Sequence, residues 1–141
     1  MKKIFFILIA INLLGCEVDF STRINTDKNK KKVIATDKAP KAIGPYSQAI
    51  EIDNTLYLAG QIGLDPTTGK LVDGGINEQT NRVMKNLEAI LDAAGYRFDN
   101  VVQTQVFVAD LNDYKAMNDV YAKYFSDAPP ARAAVQAVLP R

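Results

Sequence analysis

Val101-Val102-Gln103-Thr104-Gln105-Val106-Phe107-Val108-Ala109 reads as a strand with two unlike faces. Side chains alternate across a strand, so Val102, Thr104, Val106 and Val108 share one face while Gln103, Gln105 and Phe107 share the other. The first face suits a cover of helices. The second is mixed and calls for a polar partner.

Helical patterns lie on both sides of this strand. Asn77 is placed to cap a helix running to Ala94, with Met84, Leu87, Leu91 and Ala94 on one stripe and Gly95 as its stop. Asn112 is placed to cap a second helix over Asp113 to Phe125, where Tyr114, Met117, Tyr121 and Tyr124 recur at spacings of three and four. This aromatic stripe is expected to be core rather than a cofactor box.

Val33 to Thr36, Ala49 to Ile52 and Leu56 to Ile62 read as strands, the last two joined through Asp53-Asn54 as a hairpin. Asp65-Pro66-Thr67-Thr68-Gly69 is a turn, and Ala133 to Val138 a final strand. The order β-β-β-α-β-α-β predicts an α+β fold: an antiparallel or mixed sheet with two helices on one face. An open second face bearing Phe107 predicts self-association.

Bulk composition narrows the chemistry. With 141 residues, 48% of them hydrophobic and 23% charged, one core and one globular domain are expected. Lys and Arg number 17 against 16 Asp and Glu, a net charge of +1, so no global field draws nucleic acid. The absence of histidine removes Ser-His-Asp and Cys-His pairs and the commonest metal ligand, so no metal site is expected. Proton transfer must run through carboxylates, tyrosine, backbone or water. The lone Cys16 cannot form an intrachain disulfide.

The chain opens with Lys2 and Lys3 before an apolar run from Ile4 to Leu14, far short of the roughly 20 residues of a spanning helix. Leu13-Leu14-Gly15-Cys16 resembles a bacterial lipobox. Residues 1–16 are therefore read as a lipoprotein signal peptide with Cys16 as the lipidation site. Membrane contact is expected only through that anchor, outside the cytoplasm, in the periplasm or at the cell surface; the alternative is a cytoplasmic protein with an accidental apolar start. Residues 17–32, polar and aperiodic, read as a flexible linker, and the globular domain as 33–141.

Three short stretches combine into equipment for binding an anion. Gly44-Pro45-Tyr46-Ser47-Gln48-Ala49 makes a rigid turn presenting a tyrosine, and Ala59-Gly60-Gln61-Ile62-Gly63 is a strand tightened by glycine. Pro129-Pro130-Ala131-Arg132-Ala133-Ala134 holds one arginine just after a proline pair. The guanidinium fork can take a carboxylate bidentately, each charge-assisted contact contributing about 1.5 to 3 kcal/mol.

With Asn86-Leu87, Val106-Phe107-Val108, Asp110-Leu111 and Met117-Asn118-Asp119-Val120-Tyr121, these stretches make Thr36 to Arg141 resemble the reactive intermediate deaminase family, the Rid or YjgF family. The resemblance implies a chorismate mutase-like fold assembled as a homotrimer, with ligand clefts between adjacent subunits. It implies hydrolysis of 2-imino acids or their enamine tautomers, such as 2-iminobutanoate and 2-iminopropanoate, to 2-oxo acids and ammonia without metal or organic cofactor. Carried onto this sequence, Arg132 takes the substrate carboxylate, Tyr46 closes the cleft, and Asn118 contributes donors and acceptors from the second helix. Those three form the expected catalytic set, and Gly60, Ala59 and Ala134 complete the substrate-binding set. Ala59 stands where many members have serine, and Ala134 where others have cysteine, serine or threonine.

The family pattern also implies a further strand, carrying a glutamate that positions the attacking water. The domain is accordingly read as C-terminally truncated after Arg141, with its last strand missing. The alternative function is a non-catalytic trimer of the same fold that captures small carboxylates. A ribonuclease or translation-inhibitor role is disfavoured by the near-neutral charge.

Overall fold

The computed structural model describes residues 6–10, 30–125 and 128–138. Cys16 and linker residues 17–29 lie outside the described residues. The strands are β1 (Phe6–Ala10), β2 (Lys32–Ile34), β3 (Ala49–Ile52), β4 (Thr55–Gln61), β5 (Gln103–Val108) and β6 (Ala131–Gln136). Two α-helices, α1 (Ile76–Ala94) and α2 (Tyr114–Tyr121), flank β5 in sequence. The strands form one mixed sheet in the order β2-β3-β4-β1-β5-β6.

The β3–β4 hairpin forms where expected. Asp53 and Asn54 sit at φ 48° and 59°, the left-handed pair of a type I′ turn, whose twist matches that of the strands it joins. Asp and Asn tolerate that region better than most residues. The turn sets the register Ile52↔Thr55 through Ala49↔Leu58, which turns Leu56 and Leu58 into the core and Tyr57 outward.

Helix α1 starts at Gly75 rather than at the expected Asn77 cap. Glu78 Oε2 accepts the Gly75 N–H at 2.8 Å, satisfying a first-turn donor, and the preceding Gly74 at φ +107° makes the approach. The apolar stripe is wider than Met84, Leu87 and Leu91, because Val83 and Ile90 are also fully buried. Gly95 ends the helix at φ 82°, with Tyr96 N–H donating to Leu91 O at 2.9 Å. A methyl at Gly95 would meet no atom within 4 Å, so Gly95→Ala costs only the conformational strain, about 1 kcal/mol. Thermal unfolding should show this as a fall in Tm of about 4 °C.

On β5, Thr104, Val106 and Val108 are buried under the helices, while Gln105 and Phe107 are half-buried on the other face. Val102 lies outside the strand and is exposed. The cap at the start of the second helical stretch is Asp110, whose side chain accepts from Asn112 N–H at 2.9 Å, so Asn112 is the capped residue and not the cap. The stretch is a 3-10 turn (Leu111–Asp113), then α2, then a second 3-10 turn (Ala122–Tyr124). A buried hydrogen bond of 2.9 Å between Tyr121 Oη and Thr104 Oγ1 ties α2 to β5.

Strand β6 runs parallel to β5 from Gln103↔Ala131 to Val108↔Gln136, and it begins earlier than expected because Ala131 N–H donates to Val102 O at 3.0 Å. Arg132 therefore lies inside the strand. Its register with Thr104, and that of Ala134 with Val106, puts both residues on the helix-covered face.

The middle of the sheet is taken by β1, antiparallel to both β4 and β5. Phe6–Ala10 lies within the apolar run read above as an export signal. Such a signal and a strand paired on both edges can draw on the same apolar composition. Between Ile9↔Leu58 and Ile7↔Gln61, β4 carries one residue more than β1, so a bulge falls at Ala59 and Gly60. The uncovered face of the sheet exposes Val33, Tyr57 and Val135.

Candidate active site

A hollow of about 790 Å³ opens between α2 and the edge strand β6. Arg132, Asn118 and Ala134 line it together with Tyr114, Tyr121, Leu111 and Phe125, over a rim that includes Pro129 and Pro130. Among the described residues no acidic side chain lines it.

The guanidinium of Arg132 is aligned by aromatic neighbours. It lies 4.7 Å from the Tyr121 ring centroid and 5.7 Å from that of Tyr114. Its Nη2 donates to Tyr114 Oη at 3.0 Å. A hydrogen bond from the Asn118 side chain, followed by the positive charge of Arg132, holds the Tyr114 hydroxyl below the usual phenol range. Burial pushes the Tyr121 hydroxyl the other way, against the Thr104 hydrogen bond and the Arg132 charge. Asn118 Oδ1 is buried and has no hydrogen-bond partner among the described residues. The hollow thus offers a cation, a phenol and an unused amide acceptor at the edge of an apolar floor.

Within one chain the remaining expected site residues lie elsewhere. Tyr46 lines a separate hollow of about 480 Å³ with Val33, Thr36, Lys41 and Gln48. It is half exposed, and its Oη accepts the Ile43 N–H at 3.3 Å, closing the tight turn around Pro45. Ala59 and Gly60 sit at the bulge in β4, a strand separated from β6 by β1 and β5, and line neither hollow. Among the described residues no group of three His, Cys, Asp or Glu side chains could hold a metal ion.

Residues 36–139 match the family model described as Endoribonuclease L-PSP. The chain belongs to the Rid family. A 2-iminobutanoate/2-iminopropanoate deaminase of Mus musculus is 55% identical over 112 residues, covering 79% of this chain and 83% of the relative. The Homo sapiens protein of the same name is 53% identical, over 79% of this chain and 82% of its own. A Rid family protein of Yersinia pestis shares the fold at a TM-score of 0.77 and 46% identity, covering 79% and 90% of the two chains. E. coli TdcF with bound serine does so at 0.72 and 35%, covering 75% and 85%.

In this Rid chain, sequence reasoning missed Tyr114 and Tyr121 as site residues because their spacing with Met117 and Tyr124 reads as a core stripe. Met117 and Tyr121 are buried, but Tyr114 is exposed at the mouth of the hollow. The signal was Asn118. Tyr114, Asn118 and Tyr121 fall at i, i+4 and i+7, so a polar amide interrupts the aromatic face that meets Arg132.

Proposed function

We propose that this chain hydrolyses 2-imino acids of the 2-iminobutanoate and 2-iminopropanoate class to 2-oxo acids and ammonia. The observation that carries this reading is the juxtaposition, in one hollow, of the Arg132 guanidinium and the unpartnered Asn118 Oδ1. A 2-imino acid presents the complementary groups: a carboxylate that accepts and an N–H that donates. Arg132 takes the carboxylate through its planar fork. Asn118 Oδ1 accepts the imine N–H and so favours the protonated, more electrophilic iminium.

Water then attacks the imine carbon. Its oxygen bonds to carbon as the C=N electron pair moves to nitrogen, and the proton that the water gives up passes through solvent to that nitrogen. Collapse of the carbinolamine forms the C=O bond and breaks C–N, with ammonia leaving. The 2-oxo acid has no N–H for Asn118, which weakens the hold on product. Leu111, Phe125 and Ala134 suit a short alkyl side chain. Serine, the molecule bound to TdcF, has the same two handles, a carboxylate and a nitrogen with protons.

The working site in this proposal lies between copies of a homotrimer, where Tyr46 of the partner subunit closes over Arg132. The exposure of Val33, Tyr57 and Val135 on the uncovered sheet face supports such an assembly, because an apolar face of this kind is normally covered. The test mixes purified protein with freshly generated 2-iminobutanoate and follows ammonia. Release faster than spontaneous hydrolysis is expected, with a trimer mass in light scattering. Binding of 2-oxobutanoate without acceleration would favour the carboxylate-capturing module instead, and a monomer at micromolar concentration would remove the shared site.

A further inference from the structure

We infer that the Tyr114 hydroxyl is a substrate-binding donor of this site, giving its proton to the same carboxylate that Arg132 holds. The inference rests on the carboxylate-binding part of the function proposed above, and it begins from the hydrogen-bonding capacity of a phenol. A tyrosine oxygen accepts two hydrogen bonds and donates one. Tyr114 Oη accepts from Arg132 Nη2 at 3.0 Å. That bond occupies an oxygen lone pair and leaves the O–H able to turn into the hollow that Tyr114 lines.

The orientation of Asn118 agrees. Its Oδ1 is buried beside the same hollow and has no hydrogen-bond partner among the described residues. Tyr114 and Asn118 line one hollow with the guanidinium, the first offering a donor and the second an acceptor. Among the described residues no acidic side chain lines the hollow, so a ligand carboxylate can meet the O–H and the guanidinium together. A carboxylate has about four lone-pair sites, enough for the arginine fork and a phenol at once. Tyr114 is the first residue of α2 and exposed, and the stacked rings already order the arginine, so little further freedom is lost on binding.

The test is Tyr114→Phe in the full chain, which keeps the ring beside Arg132 and removes only the hydroxyl. The probe is 2-oxobutanoate, titrated by calorimetry, so that the readout does not depend on turnover. Affinity should fall about 10- to 100-fold, the range for a hydrogen bond to a charged group, with the near-ultraviolet circular dichroism unchanged. The same substitution is repeated in the Arg132→Lys background. A direct contact persists there and again weakens binding, whereas a hydroxyl that merely aligns the guanidinium has no further effect.

Affinity within twofold of wild type in Tyr114→Phe would overturn the inference and leave imine hydrolysis standing. An effect confined to the Arg132 background would reduce Tyr114 to a positioning residue and also overturn it. A wild-type protein that binds 2-oxobutanoate but leaves 2-iminobutanoate unaccelerated would sink the hydrolase reading while the Tyr114 contact is still measured. No binding by wild type would sink both.

Discussion

Arg132→Ala should lower kcat/KM for 2-iminobutanoate about 30- to 900-fold, a loss of about 2 to 4 kcal/mol in transition-state stabilisation, while the fold persists. Of the two handles on a 2-imino acid, only the carboxylate is permanently charged, so recognition depends on one guanidinium more than on any other side chain. That guanidinium lies over the Tyr121 and Tyr114 rings and is hydrogen-bonded to Tyr114 Oη, in a hollow with no acidic lining residue among the described residues. Its orientation is set before substrate arrives. Arg132→Lys should recover only part of the loss, because an ammonium keeps the charge but neither the fork nor the flat face that stacks. Steady-state ammonia release on proteins checked by circular dichroism measures both variants. Near-wild-type turnover by Arg132→Ala would mean that the site has been misplaced.

Gln48→Ala should lower the stability of the folded chain by about 2 to 4 kcal/mol, since each orphaned buried group costs about 1 to 3 kcal/mol and water relieves part of that. Gln48 is 5% exposed and stitches the segment after β2 onto β3. Its Nε2 donates to the carbonyls of Thr36, Ala39 and Pro40 at 3.0, 3.3 and 2.9 Å, and its Oε1 accepts Thr36 N–H at 2.6 Å. Alanine leaves all four backbone groups without that partner. Gln48→Glu should be no better, because a carboxylate keeps the Thr36 contact but sets negative oxygen against carbonyl oxygens. Urea unfolding should show a lower midpoint at unchanged slope. A shift under about 0.5 kcal/mol would show that the segment holds itself. Thr36 and Gln48 also line the Tyr46 hollow, so the same variant should loosen the turn that presents Tyr46.

Much of this chain was legible one segment at a time. The alternation through Val101 to Ala109 made a strand with a helix-facing side, and Thr104, Val106 and Val108 are indeed buried there. Asp53-Asn54 marked a hairpin because both residues accept left-handed backbone at small cost, and both adopt it. The helix caps were misplaced by two residues each, at Gly75 for Asn77 and Asp110 for Asn112, because several residues at each start could cap and side-chain reach chose between them. The choice of Arg132 as a candidate anion-binding residue came from its chemistry and from the family pattern around it, and the structure sets it in a hollow.

Local periodicity could not supply pairing between distant segments. Five residues at Phe6–Ala10 occupy the middle of the sheet, a placement that their apolar composition permits and does not specify, because an export signal is built from the same residues. The parallel register Thr104↔Arg132 turns the guanidinium toward α2, where it meets Tyr114, Asn118 and Tyr121. That register converted an apparent core stripe into one wall of a site, and it left Tyr46, named beside Arg132 from sequence, in a different hollow. Sequence by itself determined which segments become strands and helices and which side chains can bind an anion, since those are local properties of backbone preference and functional groups. Only the tertiary structure decided which of those side chains share a hollow, because strand order and register arise from contacts between residues far apart in the chain.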